Sequence, residues 1–144
     1  MKKLLSILLL SISLIGYSQG RVQYDELTDK GTEGSPTMYF KGALFNGVGY
    51  SVHSNGQLKE EGNHKDGKAD GLFKIWYANG QLKLEVYYKD GKQVGLWKHW
   101  YENGQLSFEG SFKDGKKDGL AKRWYENGQL RDKVYWKDGQ GQEI

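Results

Sequence analysis

The stretch Trp100 to Leu106 reads WYENGQL, and the same seven letters return at Trp124 to Leu130. A close relative, WYANGQL, spans Trp76 to Leu82, and a more divergent copy, VHSNGQL, spans Val52 to Leu58. The four copies lie 24 residues apart. A fixed period of this length indicates a repeat protein, in which supersecondary units stack on one another.

Each unit is predicted to be a β-hairpin, because each contains an Asn-Gly pair flanked by aromatic and β-branched residues. Asn-Gly is the strongest short hairpin signal, since a type I′ turn needs positive φ at both central residues. The predicted turn pairs are Asn55-Gly56, Asn79-Gly80, Asn103-Gly104 and Asn127-Gly128.

Two further series keep the same period. One consists of Asp-Gly pairs with similar turn chemistry, which are Asp66-Gly67, Asp90-Gly91, Asp114-Gly115 and Asp138-Gly139. The other consists of single glycines, which are Gly47, Gly71, Gly95 and Gly119.

A two-residue loop at Asn103-Gly104 predicts that Tyr101 lies opposite Leu106. The pairs that follow are His99–Phe108 and Trp97–Gly110 on one face, and Trp100–Ser107, Lys98–Glu109 and Leu96–Ser111 on the other. One face of the sheet is therefore expected to be mainly apolar. The other is expected to carry cross-strand Lys–Glu pairs beside a file of tryptophans.

The repeats predict an all-β fold, an open antiparallel meander of four stacked hairpin repeats with a 24-residue period across residues 41–144. A single hairpin is marginally stable, which explains why the unit is repeated. Residues 19–40 lie outside the period and contain an acidic stretch. We expect them to form an N-terminal strap or cap over the first hairpin.

Residues 1–18 are typical of a signal peptide. Lys2 and Lys3 precede an apolar run from Leu4 to Ile15, which is shorter than the roughly 20 residues of a membrane-spanning helix. We therefore expect an exported protein, located in the periplasm, at the cell surface or in the medium. The chain has no cysteine, which excludes disulfides and thiolate metal sites.

The charge balance gives no case for a nucleic-acid partner. The formal net charge is +3, and removal of the two N-terminal lysines lowers it to +1. Phosphate backbones are bound by surfaces that are much more basic. The aromatic content, five Trp and ten Tyr, is that of a folding chain and suits pleated surfaces.

The segment GLWKHWYENGQLSFEGSFKDGKKDG, from Gly95 to Gly119, resembles the bacterial variant of the MORN repeat. The resemblance covers roughly residues 41–139 and is weakest in the first unit. It implies an open meander of stacked hairpins that acts as a protein-interaction scaffold. It also implies an antitoxin-like role, since many such bacterial proteins are described as the antitoxin component of a YwqK-like toxin–antitoxin system.

No catalytic residue, metal ligand or cofactor is predicted. GSFKDGK at Gly110 to Lys116 matches the glycine spacing of a phosphate-binding loop, but Lys117 follows it instead of the required Ser or Thr. The histidines at positions 53, 64 and 99 occupy places that other repeats fill differently. A non-enzymatic protein is expected.

The candidate binding surface is aromatic. Its predicted residues are Trp76, Trp100, Trp124, Tyr77, Tyr101 and Tyr125. Trp and Tyr dominate binding hot spots, and three tryptophans on alternate strands lie roughly 9–10 Å apart. The opposing interpretation is that each ring only covers its neighbour's backbone and an adjacent Lys stem.

Two functions follow from this surface. The first is an exported scaffold that binds another protein, with an antitoxin-like or immunity-like role as one form of it. The alternative is a cell-wall or glycan-binding module that uses the aromatic face, since choline-binding repeats are similar in their short aromatic hairpins. An apolar sheet face without a second layer would also allow self-association.

Overall fold

A computed structural model describes residues 20–143, and the predicted signal peptide at residues 1–18 lies outside them. The N-terminal elements are β1 (Arg21–Gln23), a single 3₁₀ turn (Tyr24–Glu26), β2 (Thr28–Asp29), β3 (Met38–Phe40) and β4 (Ala43–Leu44). The repeats contain β5 (Gly47–Val52), β6 (Leu58–Lys65), β7 (Lys68–Trp76), β8 (Leu82–Lys89), β9 (Lys92–Trp100), β10 (Leu106–Lys113), β11 (Lys116–Lys117), β12 (Gly119–Trp124), β13 (Leu130–Lys137) and β14 (Gln140–Glu143).

One long sheet contains all of the repeat strands. Its strand order is β1-β5-β6-β7-β8-β9-β10-β12-β13-β14, with the short β11 also paired to β10. Neighbouring strands are antiparallel except β1, which runs parallel to β5. Strands β2, β3 and β4 form a second, small sheet. The predicted all-β meander of hairpin repeats is confirmed.

The Asp-Gly pairs form the tight turns of this sheet. Asp114 and Gly115 have φ values of 51° and 79°, and they connect Lys113 directly to its partner Lys116. Positive φ at both central residues defines a type I′ turn, whose twist matches that of the flanking strands. The other three Asp-Gly pairs have the same conformation.

The prediction of a two-residue type I′ loop at Asn-Gly is wrong. Gly104 has a φ of 84°, but Asn103 is not among the residues with positive φ. The Gly104 N–H donates to the Tyr101 carbonyl at 2.9 Å, and the Tyr101 N–H donates to the Gln105 carbonyl at 2.9 Å. This is a three-residue loop, in which a type I turn is followed by one left-handed glycine.

Because the loop is one residue longer than predicted, the strand pairing next to the turn is shifted by one residue. Leu106 pairs with Trp100 instead of Tyr101, and Ser107 lies in a bulge, so the predicted pair Trp100–Ser107 is also wrong. Beyond the bulge the prediction is confirmed for four pairs, which are His99–Phe108, Lys98–Glu109, Trp97–Gly110 and Leu96–Ser111.

The third glycine series marks irregularities in the sheet. Gly71, Gly95 and Gly119 have φ values of 113°, 67° and 96°, a conformation that is costly for other residues. Between β8 and β9, Val86 pairs with Trp97 while Tyr87 pairs with Val94, so two extra residues lie on β9 around Gly95. Each such bulge bends and twists the sheet locally.

Side chains of the Asn-Gly loops join each repeat to the next. The Tyr77 hydroxyl donates to the Trp100 carbonyl at 2.7 Å, and the Tyr101 hydroxyl donates to the Trp124 carbonyl at 2.8 Å. The Asn103 side-chain amide donates to the Glu126 carbonyl at 3.0 Å, and Asn79 and Asn55 make the equivalent bonds. These bonds form a ladder along one edge of the sheet.

The opposite edge is joined mainly by backbone bonds, with a side-chain acceptor in two places, where Asn46 accepts from the Asp66 N–H and Asp70 accepts from the Asp90 N–H. The Gly91 N–H donates to the Ala69 carbonyl at 2.8 Å and the Gly115 N–H to the Gln93 carbonyl at 3.0 Å, and each acceptor lies two residues after the glycine of the preceding Asp-Gly turn. Both edges of the meander are therefore tied from repeat to repeat, in addition to the strand pairing.

The two faces of the sheet differ. We call the face that carries Phe73, Val86, Trp97, Ala121 and Val134 the strap face, because the N-terminal segment lies against its first repeat. Val86, Ala121 and Val134 are buried. Trp97 packs against Phe108 and Phe112, with ring centroids 4.6 and 5.4 Å apart. We call the opposite side the open face.

The N-terminal segment packs on the first repeat through Tyr24. Its ring lies directly over Gly49 and Gly62, which face each other across β5 and β6, and a Cβ atom at either glycine would overlap it. The ring also packs edge-on against His64, with centroids 5.7 Å apart. The Tyr24 hydroxyl is buried and has no hydrogen-bond partner within residues 20–143.

The ladder predicts that equivalent tyrosines differ in their contribution to stability. Tyr101→Phe should lower the free energy of unfolding by about 1 kcal/mol, because the Trp124 carbonyl loses its donor. Tyr125→Phe is the matched control, since Tyr125 is half-exposed and has no such bond in the described part of the chain, and it should change little. Equal losses in urea unfolding would contradict the ladder.

Tyr24→Phe should have the opposite effect to Tyr101→Phe. Removing a buried hydroxyl that lacks a partner abolishes a desolvation penalty, so the free energy of unfolding should rise by about 1 kcal/mol. Tyr24→Ala should lower it, because the two facing glycines lose their cover. A clear loss of stability in Tyr24→Phe would show that the hydroxyl has a partner.

The protein should also become less stable as the pH drops below neutral, because of His64. The His64 Nδ1–H donates to the Gly62 carbonyl at 3.0 Å, and burial lowers the pKa of His64. As the pH falls through 6.5, the unfolded chain takes up a proton that the folded chain does not, so the free energy of unfolding decreases.

His64→Phe tests this, since Phe112 occupies the equivalent position of the third repeat. Urea unfolding at several pH values between 5 and 8 should give a shallower slope for the variant. Some slope remains from His99, whose pKa is also lowered by burial. Identical slopes for the two proteins would refute the contribution of His64.

Candidate functional site

The middle of the open face carries the predicted charge pairs. The Lys74 Nζ lies 3.3 Å from a Glu85 carboxylate oxygen, and the Lys98 Nζ lies 3.8 Å from that of Glu109. Each pair is about one-third exposed, so its net contribution to stability is about 0–1 kcal/mol. The pairs mainly give the face its charge pattern.

The charge pattern changes along the sheet. In the last repeat the same register places Lys122 between Glu109 on one side and Lys133 on the other, and neither lysine forms an ion pair within residues 20–143. The middle row of the open face is thus neutral in the second and third repeats and basic in the fourth.

The three predicted tryptophans lie on this face, next to the Asn-Gly loops. Trp76 follows Lys74 by two residues, so its side chain projects on the same side of the sheet, and Trp100 and Trp124 repeat this placement. All three are partly buried. Their rings are therefore in part structural, and they do not form a fully exposed strip.

The three predicted tyrosines do not form a single site. The hydroxyls of Tyr77 and Tyr101 are engaged in the ladder, where the pKa of Tyr77 is raised by burial and by nearby glutamates. Tyr125 belongs to the last repeat and is 50% exposed. The sequence prediction therefore groups two structural residues with one free surface residue.

A second row on the open face is more exposed than the tryptophans. It lies next to the Asp-Gly turns and consists of Tyr87, Leu96, Leu120 and Tyr135, which are 43–48% exposed. Leu120 pairs directly with Tyr135 across β12 and β13. We call these four residues the open-face strip.

The sequence predicted that Leu96 lies on this face, but it did not single out the strip. The available signal was the residue after each bulge glycine, which is Leu in the last three repeats, at positions 72, 96 and 120. Leu96 and Leu120 are exposed whereas Leu72 is partly buried, so this pattern alone does not identify the strip.

The described residues contain one contact between a serine and a histidine, and it does not activate the serine as a nucleophile. The Ser107 hydroxyl lies 2.7 Å from His99 Nδ1, but its proton is donated to the His99 carbonyl at 2.9 Å. His99 is therefore the donor to this oxygen and not its base, which is the reverse of the arrangement in a catalytic triad.

Two other kinds of feature are absent from residues 20–143. No group of three or more His, Asp or Glu side chains could hold a metal ion. In this part of the chain, no helix has the length and apolar character that crossing a bilayer requires.

Comparison with known proteins identifies the repeat. The MORN repeat variant matches four consecutive segments, residues 45–66, 69–90, 93–114 and 117–138. A search of curated proteins found no match.

Among solved structures, the chain is similar to part of the crystal structure of accessory secretory protein 1, 2 and 3 in Streptococcus pneumoniae, at 15% identity and a TM-score of 0.22. That similarity covers 83% of this chain and only 18% of the other, and it is too low to support an inference.

The four matched segments make up more than half of the chain and coincide with the four hairpin units of the sheet. An array of such repeats is a scaffold of the kind that interacts with proteins or membranes. The chain belongs to the MORN repeat variant family.

Proposed function

We propose that this protein is an exported, non-enzymatic repeat scaffold that binds another protein through its open face. The observation that carries the proposal is the open-face strip, four large apolar side chains that are 43–48% exposed on consecutive repeats. Export rests on the signal-peptide pattern of residues 1–18.

The strip has the properties of a binding surface. Exposed apolar groups are common one at a time, but here Leu120 pairs with Tyr135, and Leu96, opposite Ser111, lies in the same row. Clusters of exposed apolar groups mark interaction sites. Tyr is enriched among hot-spot residues. The strip lies on paired strands, so it is presented rigidly and loses little entropy on binding.

The neighbouring charges would orient the partner. The middle row offers alternating Lys and Glu in two repeats and two lysines in the last one, where Lys122 lies opposite Glu109 and only Lys133 has no acidic neighbour in register. A partner with an acidic patch beyond its apolar contact surface would be aligned along the repeats, since charge complementarity mainly sets specificity and association rate. An antitoxin-like or immunity-like interaction is one form of this binding.

The first test is capture from an envelope extract with the wild-type protein and with a Leu96→Ser, Leu120→Ser double variant. Position 111 of the same row is already Ser, so serine is compatible with the fold here. We expect one protein to be recovered with the wild type and lost with the double variant. Two hot-spot residues at about 1–2 kcal/mol each lower the affinity by roughly 30-fold or more.

The matched control is Leu44→Ser with Leu130→Ser, since these leucines are equally exposed but lie outside the strip. Thermal unfolding should show that both double variants remain folded. Retention of the partner by the strip variant, or equal loss in the control, would contradict the assigned surface.

The alternative, binding to cell-wall glycan, is favoured by the regular tryptophans of the open face. Cosedimentation of the wild-type protein with purified peptidoglycan separates the two functions. Pelleting that is lost in a Trp100→Ala variant but retained in the strip variant would favour the glycan. No pelleting at micromolar protein would exclude it.

A further inference from the structure

A cavity of about 560 Å³ lies between the N-terminal segment and the strap face of the first two repeats. Leu27, Pro36 and Met38 of the N-terminal segment line one side, and Ala69, Phe73 and Tyr88 of the sheet line the other. Tyr24 and His64 complete the wall. The volume is that of a small-molecule site, and three aromatic side chains and an imidazole surround it.

The charges of this cavity are one-sided. Asp29 and Glu60 line it, and no Lys or Arg is among its lining residues, although the chain as a whole has more basic than acidic residues. Asp29 already accepts bonds from the N–H groups of Gly31 and Thr37, which lower its pKa. Glu60 accepts only the Ser51 hydroxyl, at 2.7 Å, through one of its two oxygens.

In the last repeat, the position that corresponds to the cavity holds a lysine ammonium group among aromatic rings. Lys117 lies with its ammonium nitrogen 4.5 Å from the centre of the Trp136 ring, 5.7 Å from that of Trp97 and 6.0 Å from that of Phe108. An ammonium held within about 6 Å of aromatic faces is a cation–π interaction.

The cavity lies at the position that corresponds to the Lys117 site, two repeats earlier in the chain. Residue 69 is the equivalent of Lys117, and Ala69 pairs with His64 in the register by which Lys117 pairs with Phe112. Tyr88 is then the equivalent of Trp136. Gly49, the equivalent of Trp97, has no ring of its own, but the Tyr24 ring lies on it.

Glu60 adds a negative charge that favours a cation in the cavity. Glu60 is the equivalent of Phe108, so a carboxylate stands where the last repeat has a ring. The lysine itself is missing, since position 69 is alanine, and its space is part of the cavity.

We propose that this cavity binds the ammonium group of a ligand with an apolar stem. The aromatic walls supply the kind of attraction that holds the Lys117 ammonium in the last repeat, the Glu60 carboxylate adds a negative charge, and the alanine at position 69 leaves room for an external ammonium. The ammonium can come from a lysine side chain of a polypeptide or from a free quaternary amine such as choline. This site is on the opposite face from the strip, so it does not depend on the function proposed above.

The test is calorimetric titration of the purified protein with two cations and their neutral counterparts. Choline is compared with 3,3-dimethylbutan-1-ol, and Nα-acetyl-lysine amide with Nα-acetyl-norleucine amide. We expect at least one cation to bind saturably and about tenfold more tightly than its neutral counterpart. Preference for the lysine amide identifies a polypeptide as the source, and preference for choline identifies a quaternary amine.

Three variants locate the binding. Glu60→Gln keeps the acceptor for Ser51 and should weaken the cation about tenfold, whereas Glu109→Gln on the open face should not. Ala69→Lys restores the residue of the last repeat and should abolish binding, because its own ammonium fills the site. The Leu96→Ser, Leu120→Ser variant should bind the cation normally.

Several results would overturn the proposal. They are equal affinity for cation and neutral counterpart, no saturable binding of either cation, and unchanged affinity in Glu60→Gln. Tight binding of the cation by a folded Ala69→Lys variant would also show that the cation does not bind next to position 69.

Discussion

The fold depends on hydrogen bonds that join each repeat to the next at its two edges. Tyr101 and Asn103 of one Asn-Gly loop donate to the carbonyls of Trp124 and Glu126 in the following loop. At the other edge, the glycine of an Asp-Gly turn donates to a carbonyl just after the preceding Asp-Gly turn. A hairpin alone buries too little apolar surface to be stable. These bonds fix the spacing and angle of consecutive hairpins, so the apolar side chains of the strap face meet in one register.

The edge bonds also explain why the two faces can serve different purposes. On the strap face, aromatic rings and valines pack on one another, and the N-terminal segment covers the first repeat through Tyr24. The open face has no such cover among residues 20–143, and it keeps a row of charge pairs between the tryptophans and the open-face strip. A scaffold held from its edges can leave one face available to a partner without losing its shape.

Much of this architecture was predictable, because the 24-residue period, the turn residues and the alternation of side chains are local signals. They predicted the meander, the two faces and the pair Lys98–Glu109 correctly. The type of the Asn-Gly loop was predicted wrongly because Asn-Gly also fits a three-residue loop, in which the Asn side-chain oxygen accepts from the N–H two residues on, as in Asn103 and Asn127. The strip and the cavity were missed because they do not follow from the period. Leu96 and Leu120 of the strip follow bulge glycines, and the cavity depends on Tyr24, which lies outside the period.

The central claim is that the edge bonds make the repeats a single cooperative unit, and native-state hydrogen exchange tests it most directly. The amide hydrogens of Gly91 and Gly115 lie at the edge, and those of Val86 and Gly110 lie in the strand centres. The account predicts that these four amides of the middle repeats exchange with similar free energies, because opening an edge requires opening the sheet. Fast exchange at Gly91 and Gly115 beside full protection at Val86 and Gly110 would contradict it, since the edges would then open independently of the strands.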